Sequence, residues 1–141
     1  MRKGSKITRK TDNRPAQVSE VLACDLFSGA GGFSLGAHLA GIRVAAAVEW
    51  DKYACETYRS NLIDTGLTST LLFETDISTL GPAKVKSAAG FTENQCDILL
   101  GGPPCQGFSA HRLNNSGVND PRNALLLRYF EYVRILRPAF F

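Results

Sequence analysis

Val21-Leu22-Ala23-Cys24-Asp25-Leu26-Phe27 runs straight into Ser28-Gly29-Ala30-Gly31-Gly32-Phe33. The first seven residues form a short apolar run and the glycine cluster ends it, which predicts a buried strand followed by a tight turn. Gly32 to Leu39 then reads as a helix with Gly41 at its exit. Downstream the alternation repeats. Arg43 to Val48 (RVAAAV) is a second strand, and Asp51 to about Leu62 is a helix that Asp51 can N-cap. Leu71 to Phe73 begins a weaker third strand that ends near Asp76-Ile77. Pro82 to Ala89 is a short helix, with Pro82 tolerated in its first turn. Asp97 to Leu100 (DILL) is a fourth strand, followed by a loop over Gly101–Asn119. Pro121 to Leu136 is a long helix, opened by Asp-Pro and closed before Pro138. Strand and helix in repeated order predict an α/β fold, an open, mainly parallel sheet flanked by helices on both faces. Ala139-Phe140-Phe141 resembles the opening of a fifth strand.

The bulk properties agree with one folded unit. A chain of 141 residues suits a single domain, and 44% hydrophobic residues are enough for a core. No apolar run approaches the roughly 18–20 residues of a membrane span, and the Arg/Lys-rich N-terminus lacks the apolar stretch of a secretory signal. The expected location is therefore cytoplasmic, with no membrane partner. Residues 1–20 are polar, broken by Pro15, and carry six basic against two acidic side chains, which predicts a flexible basic leader. Such a leader is either a solvated tail or a non-specific phosphate contact. The rest, residues 21–141, holds ten basic and eleven acidic side chains, so the folded part is no basic nucleic-acid platform. The four cysteines form no CxxC pair and have no histidines at zinc-like spacing, so no metal is expected. Cys24, Cys55 and Cys96 fall in or beside regular segments and read as small buried hydrophobes.

In an open α/β sheet, ligands sit at the carboxyl ends of the strands. Glycines in the first turn let backbone approach a ligand without a Cβ clash. Glu49 ends the second strand, twenty residues past Gly29, where an acid receives ribose hydroxyls in nucleotide-type sites. Trp50 beside it offers an indole face to a purine. Asp76 either accepts from an adenine amino group or serves as a turn residue. The turn is not the strict dinucleotide fingerprint, because Ser34 stands where the third glycine would fall. That departure and the Pro103-Pro104-Cys105 loop after the fourth strand count against a nicotinamide-binding dehydrogenase.

Gly101-Gly102-Pro103-Pro104-Cys105-Gln106-Gly107-Phe108-Ser109 follows the fourth strand. Paired prolines stiffen a loop, and here they hold Cys105 at the sheet edge that also carries the glycine turn. A thiolate is a strong nucleophile once its pKa is lowered or a base is near, and His111 and Arg112 are near in sequence. On the thiol alone, packing and catalysis both remain open.

Taken together, DLFSGAGGFSLG at Asp25–Gly36, Glu49-Trp50-Asp51, Asp76-Ile77, GGPPCQGFS at Gly101–Ser109 and Asp120-Pro121-Arg122-Asn123 before an apolar helix resemble the successive N-terminal motifs of cytosine-5 DNA methyltransferases. The resemblance covers about Val21 to Phe141. The Pro-Cys-Gln motif is specific: methyltransferases acting on exocyclic amines carry an aromatic residue after their prolines and need no cysteine. The resemblance implies a Rossmann-like fold that binds S-adenosyl-L-methionine, cut short after about four strands. It implies a cofactor set of Phe27, Gly29, Ala30, Gly31, Gly32, Phe33, Glu49, Trp50, Asp76, Ile77 and Pro103. Glu49 would take the ribose, Trp50 the adenine face and Asp76 the adenine amine. It implies Cys105 as the nucleophile that adds to C6 of a flipped-out cytosine, with Pro104, Gln106, Gly107, Ser109 and Asn123 in support.

The family continues with a Glu-Asn-Val strand end, whose acid assists protonation of the ring, then a target-recognition region and a returning helix. Double-stranded DNA is therefore an expected partner through a region these residues do not contain, and a complementary C-terminal chain is a further expected partner. Residues 1–141 alone are expected to show no or very weak methyltransferase activity. The readings in play are a cytosine-5 methyltransferase completed elsewhere, one half of a two-chain enzyme, and an inactive or regulatory fragment with partial S-adenosyl-L-methionine binding. Some relatives act on transfer RNA. Restriction–modification and chromosome marking both stay open.

Overall fold

The computed structural model describes residues 20–92, 96–104 and 121–141, and of residues 121–123 the backbone alone. The leader, residues 1–19, lies outside the described residues. The element order is β1 (Leu22–Leu26), α1 (Gly32–Leu39), β2 (Arg43–Glu49), α2 (Lys52–Tyr58), β3 (Leu71–Glu74), α3 (Pro82–Ala88), β4 (Ile98–Gly101) and α4 (Pro121–Leu136). All four strands are parallel and lie in the order β3-β2-β1-β4. The chain winds outward from β1 through β2 to β3, then crosses back to place β4 on the other side of β1. That reversal of direction opens a crevice at the carboxyl ends of the strands.

Helices cover both faces of the sheet. On one face, Cys24, Leu26, Ala46, Val48 and Leu99 pack with Val85 of α3 and with Tyr129, Tyr132 and Leu136 of α4. On the other, Ala23 and Val44 meet Ala37 of α1, and Ala47 meets Tyr58 and Leu62. Strict alternation would put Val44 and Ala46 on the same face. A register shift in the β1·β2 pairing prevents it: Ala23 pairs with Val44 but Cys24 pairs with Ala46, so Ala45 is an extra residue on β2. The bulge turns the rest of β2 over. The small side chains of the Ala45-Ala46-Ala47 run fit this crowded stretch. Cys24, Cys55 and Cys96 are buried free thiols, and Cys55 donates to the Glu49 carbonyl at 3.6 Å.

Two segments depart from the sequence-based expectations. The helix expected from Asp51 to about Leu62 is α-helical only to Tyr58, and Arg59–Ile63 forms a π-turn closed by Asp64 N–H on the Arg59 carbonyl at 2.9 Å. The extra residue in that turn brings Leu62 under the sheet beside Tyr58. The long α4 is apolar on most sides, a pattern that predicts cover all round, yet Leu127 is 69% and Phe130 48% exposed. At its end the chain pairs once with β4: Phe140 bridges Ile98 in parallel, with Leu99 N–H donating to the Phe140 carbonyl at 2.9 Å. Among the described residues no helix is long and apolar enough to cross a membrane. No cluster of three His, Cys, Asp or Glu side chains among them is placed to hold a metal ion.

A buried polar chain fastens α1 and α2 to β1. The Ser34 hydroxyl donates to Asp25 Oδ2 at 2.6 Å, and the Tyr58 hydroxyl donates to Ser34 Oγ at 2.8 Å. Asp25 is fully buried, and among the described residues its Oδ1 has no hydrogen-bond partner. Burial pushes its carboxyl up to about 6, against the pull of the Ser34 hydrogen bonds. The folded state binds a proton that the unfolded chain has released between pH 3.8 and about 6, so this group's contribution falls as pH rises through that window. A rise of about two units corresponds to roughly 3 kcal/mol. Denaturant unfolding from pH 4 to 7 should show wild type losing stability relative to Asp25→Asn by about that amount, and parallel curves for the two proteins would refute it.

Candidate functional site

The loop between β1 and α1 holds three residues in left-handed backbone: Phe27 (φ 56), Gly29 (φ 55) and Gly31 (φ 94). Phe27 is the costly one, since a side chain disfavours that region. Gly31 is required by packing as well. A Cβ there would lie 2.5 Å from Leu62 Cδ1 and 2.8 Å from Tyr58 Cδ2. A Cβ on Gly29 would meet nothing within 4 Å, so that glycine faces open space and serves the turn alone. The Ser28 N–H donates to the Val48 carbonyl at 3.1 Å, seating the turn on the end of β2.

Glu49 completes that seat. Its Oε2 accepts from the Gly29 N–H at 2.8 Å, and its Oε1 accepts from the Trp50 and Asp51 N–H groups, each at 2.8 Å. Sequence position pointed to a ribose acceptor, and the structure adds an anchoring role between two strand ends. A carboxylate has about four acceptor sites, so three internal bonds leave it capacity for one hydroxyl. Asp51 caps α2 as expected, accepting from the Ala54 N–H at 2.8 Å.

The third strand end carries Asp76. Its Oδ1 accepts from the Ser78 N–H at 2.8 Å, and this bond holds its carboxyl below the ordinary value, so it stays ionised near neutral pH. Asp76 thus fills the turn role that its sequence allowed. The turn that follows is gripped by α4. Arg128 donates from Nε to the Ile77 carbonyl at 2.9 Å and from Nη2 to the Leu80 carbonyl at 2.8 Å, and the Tyr132 hydroxyl donates to the same Leu80 carbonyl at 2.8 Å. At the fourth strand end, a Cβ on Gly101 would lie 2.8 Å from the Leu26 carbonyl oxygen and 2.8 Å from the Tyr129 ring. That close approach brings the Gly102–Pro104 segment alongside the first loop.

These four strand ends enclose a cleft of about 400 Å³ lined by Phe27, Val48, Glu49, Trp50, Thr75, Asp76, Ile77, Gly102, Pro104 and Leu125. Its size is within the range of small-molecule sites, about 300–1,000 Å³. The walls are mostly apolar, Trp50 is 74% exposed, and carboxylates stand at Glu49 and Asp76. Planar apolar surface between two acceptors suits a purine nucleoside, whose hydroxyls and amino group donate. Of the residues the sequence singled out, Phe27, Glu49, Trp50, Asp76, Ile77 and Pro104 come together here, and Gly29 joins through Glu49. Gly32 and Phe33 instead line a separate groove beside α1 with Ile98 and Leu100. Ala30 is exposed, Gly31 is buried against Tyr58 and Leu62, and Pro103 is half-buried between two residues of the cleft wall. Cys105, Gln106, Gly107, Ser109 and the Asn123 side chain lie outside the described residues. Pro104 and Leu125, on either side of that stretch, both line the cleft. Val48, Thr75, Gly102 and Leu125 were not foreseen, nor was the grip of Arg128 and Tyr132. The one available signal was Arg128 itself, a lone cation inside Leu125-Leu126-Leu127-Arg128-Tyr129-Phe130.

Comparison with known proteins converges on one family. The sequence model of the C-5 cytosine-specific DNA methylase family matches residues 22–141. The type II methyltransferase M1.HphI of Haemophilus parahaemolyticus is 38% identical over 118 residues, covering 83% of this chain and 30% of the relative. The type II methyltransferase M.AquIA of Picosynechococcus sp. is 40% identical over 116 residues, covering 82% of this chain and 44% of the relative. A crystal structure from an E. coli prophage, described as a putative DNA modification methyltransferase, superposes with a TM-score of 0.67 at 36% identity, covering 86% of this chain and 31% of that one. The chain therefore spans less than half the length of each of these relatives.

The Glu49 seat can be tested directly. Glu49→Gln keeps the shape but offers one acceptor atom where two are used, and its amide NH2 must face an N–H donor. The expected loss is about 2–3 kcal/mol, read as a fall of several degrees in the thermal midpoint. An unchanged midpoint would contradict the anchoring role.

Proposed function

The chain belongs to the C-5 cytosine-specific DNA methylase family, and on that premise we propose that residues 21–141 are the N-terminal part of a catalytic domain that methylates C5 of cytosine in DNA. The observation that carries this reading is the cleft built from four successive strand ends, with Pro104, the residue before Cys105, in its wall. S-Adenosyl-L-methionine fits the donor set and, when bound, supplies a methyl group activated by its sulfonium. Phe27, Trp50 and Ile77 would hold the adenine, Asp76 its amino group and Glu49 the ribose. The seating of the glycine turn on Glu49 keeps those groups in register before any ligand arrives.

The cysteine is required by the chemistry of the substrate. C5 of cytosine is a poor nucleophile. In the proposed step the Cys105 thiolate forms a bond to C6, the C5–C6 double bond opens toward C5, and C5 becomes electron-rich enough to take a methyl group. Loss of the C5 proton to a base and expulsion of the thiolate restore the ring. Reaching C6 requires the cytosine to leave the duplex. The described body has no basic surplus to grip DNA, which fits a recognition surface lying in the further length that the relatives possess. The relatives named as type II methyltransferases support a restriction–modification setting.

The test uses the full chain mixed with a polypeptide carrying the region that follows this part in the relatives. The chain by itself should give methyl transfer near background. Mixing should restore transfer to duplex DNA, and Cys105→Ser should return it to background with the fold intact. Transfer that survives Cys105→Ser would overturn the covalent route, transfer to RNA in place of DNA would overturn the substrate, and no transfer in any pairing would favour an inert fragment.

A further inference from the structure

We propose that Arg128 is a positioning residue for adenine recognition, holding the 76–80 turn so that the Asp76 carboxylate can meet the 6-amino group. This rests on the cofactor reading above. Three observations carry it. First, Arg128 is a cation on a helix whose inward face is otherwise Tyr129, Tyr132 and Leu136, and its side chain is only 19% exposed. Burying a guanidinium is costly unless its donors are used. Second, those donors are used on one short segment: Nε on the Ile77 carbonyl at 2.9 Å and Nη2 on the Leu80 carbonyl at 2.8 Å. Nη1 pairs with Glu131, and the Tyr132 ring lies 5.9 Å from the guanidinium carbon. A planar fork that meets two carbonyls three residues apart sets the orientation of the turn as well as its distance. Third, both ends of this contact reach the cleft. Asp76 and Ile77 line it from the turn, and Leu125, three residues before Arg128 on α4, lines it from the helix. An apolar side chain at 128 could pack α4 against the core, but it could not fix the Ile77 and Leu80 carbonyls. The cost of burying the charge is then explained by what the turn presents.

A purely structural role would lower the affinity for every nucleoside alike, so the readout is discrimination at the 6-position. Calorimetric titration of the full chain would compare S-adenosylhomocysteine with its hypoxanthine counterpart, S-inosylhomocysteine, which carries an oxo group in place of the amino group. Wild type should prefer adenine by about tenfold, the worth of one charge-assisted hydrogen bond. Arg128→Met should bring that ratio close to one, and Arg128→Lys, which keeps the charge but not the fork, should fall between. Adding Arg128→Met to an Asp76→Ala background should leave the ratio where Asp76→Ala alone puts it. If Arg128→Met fails to fold, Glu131→Gln removes the negative charge that Nη1 meets without touching the carbonyls and should reduce the ratio by a smaller factor. A folded Arg128→Met, or Glu131→Gln in its place, with the wild-type ratio overturns the proposal. Wild type that binds both ligands equally overturns it too, because Asp76 then does not read the amine. Wild type that binds neither removes the cofactor reading itself.

Discussion

Three backbone N–H groups converge on one carboxylate. Gly29 comes from the loop after β1, and Trp50 and Asp51 come from the chain leaving β2, all three on Glu49 at 2.8 Å. Each would otherwise be a donor at a strand end with no ladder partner, and orphaned donors are costly when shielded from water. Placing one anion among them satisfies all three and ties two neighbouring strand ends together. The left-handed turn through Phe27, Gly29 and Gly31 is held in place by this tie and by Ser28 on Val48. The cleft exists because that turn is held clear of the strand ends and does not collapse onto them.

The remaining walls follow from how tightly the layers pack. Gly31 admits Tyr58 and Leu62 beneath the turn, and Gly101 admits Leu26 and Tyr129 beneath the fourth strand end. The bulge at Ala45 reverses the faces of β2, so that Val48 serves the core and the cleft while Ala47 leaves room for Tyr58. On the far side, α4 grips the turn after β3 by two side chains. The site is therefore assembled by backbone contacts, and its ligand-facing groups are carried on segments fixed from behind.

Much of the architecture was legible in the sequence because local pattern determines it. The apolar runs, the proline and aspartate caps and the glycine exits placed every strand and helix in order, and α1 and α4 fall on the residues expected. The family resemblance, carried by five separated motifs, agrees with the family match over residues 22–141. What stayed hidden depends on distance through space. The partners of Glu49 lie one, two and twenty residues away, and only the pairing of β1 with β2 brings the last within reach. The bulge and the π-turn each hinge on a single inserted residue that periodicity does not mark. Arg128 meets carbonyls about fifty residues earlier in the chain, and the lone cation among apolar residues marks the position without naming those partners. Gly32 and Phe33 belong to the same glycine-rich motif as the cleft residues, yet the start of α1 turns them toward the opposite groove.

One cleft is proposed to serve both the cofactor and the nucleophile. A crystal structure of the chain with S-adenosylhomocysteine would test this most directly. The adenine is expected between Trp50 and Ile77, with the Cys105 sulfur facing the same cleft. A ligand seated elsewhere, or a Cys105 sulfur pointing into the core or to the opposite edge of the sheet, would contradict it.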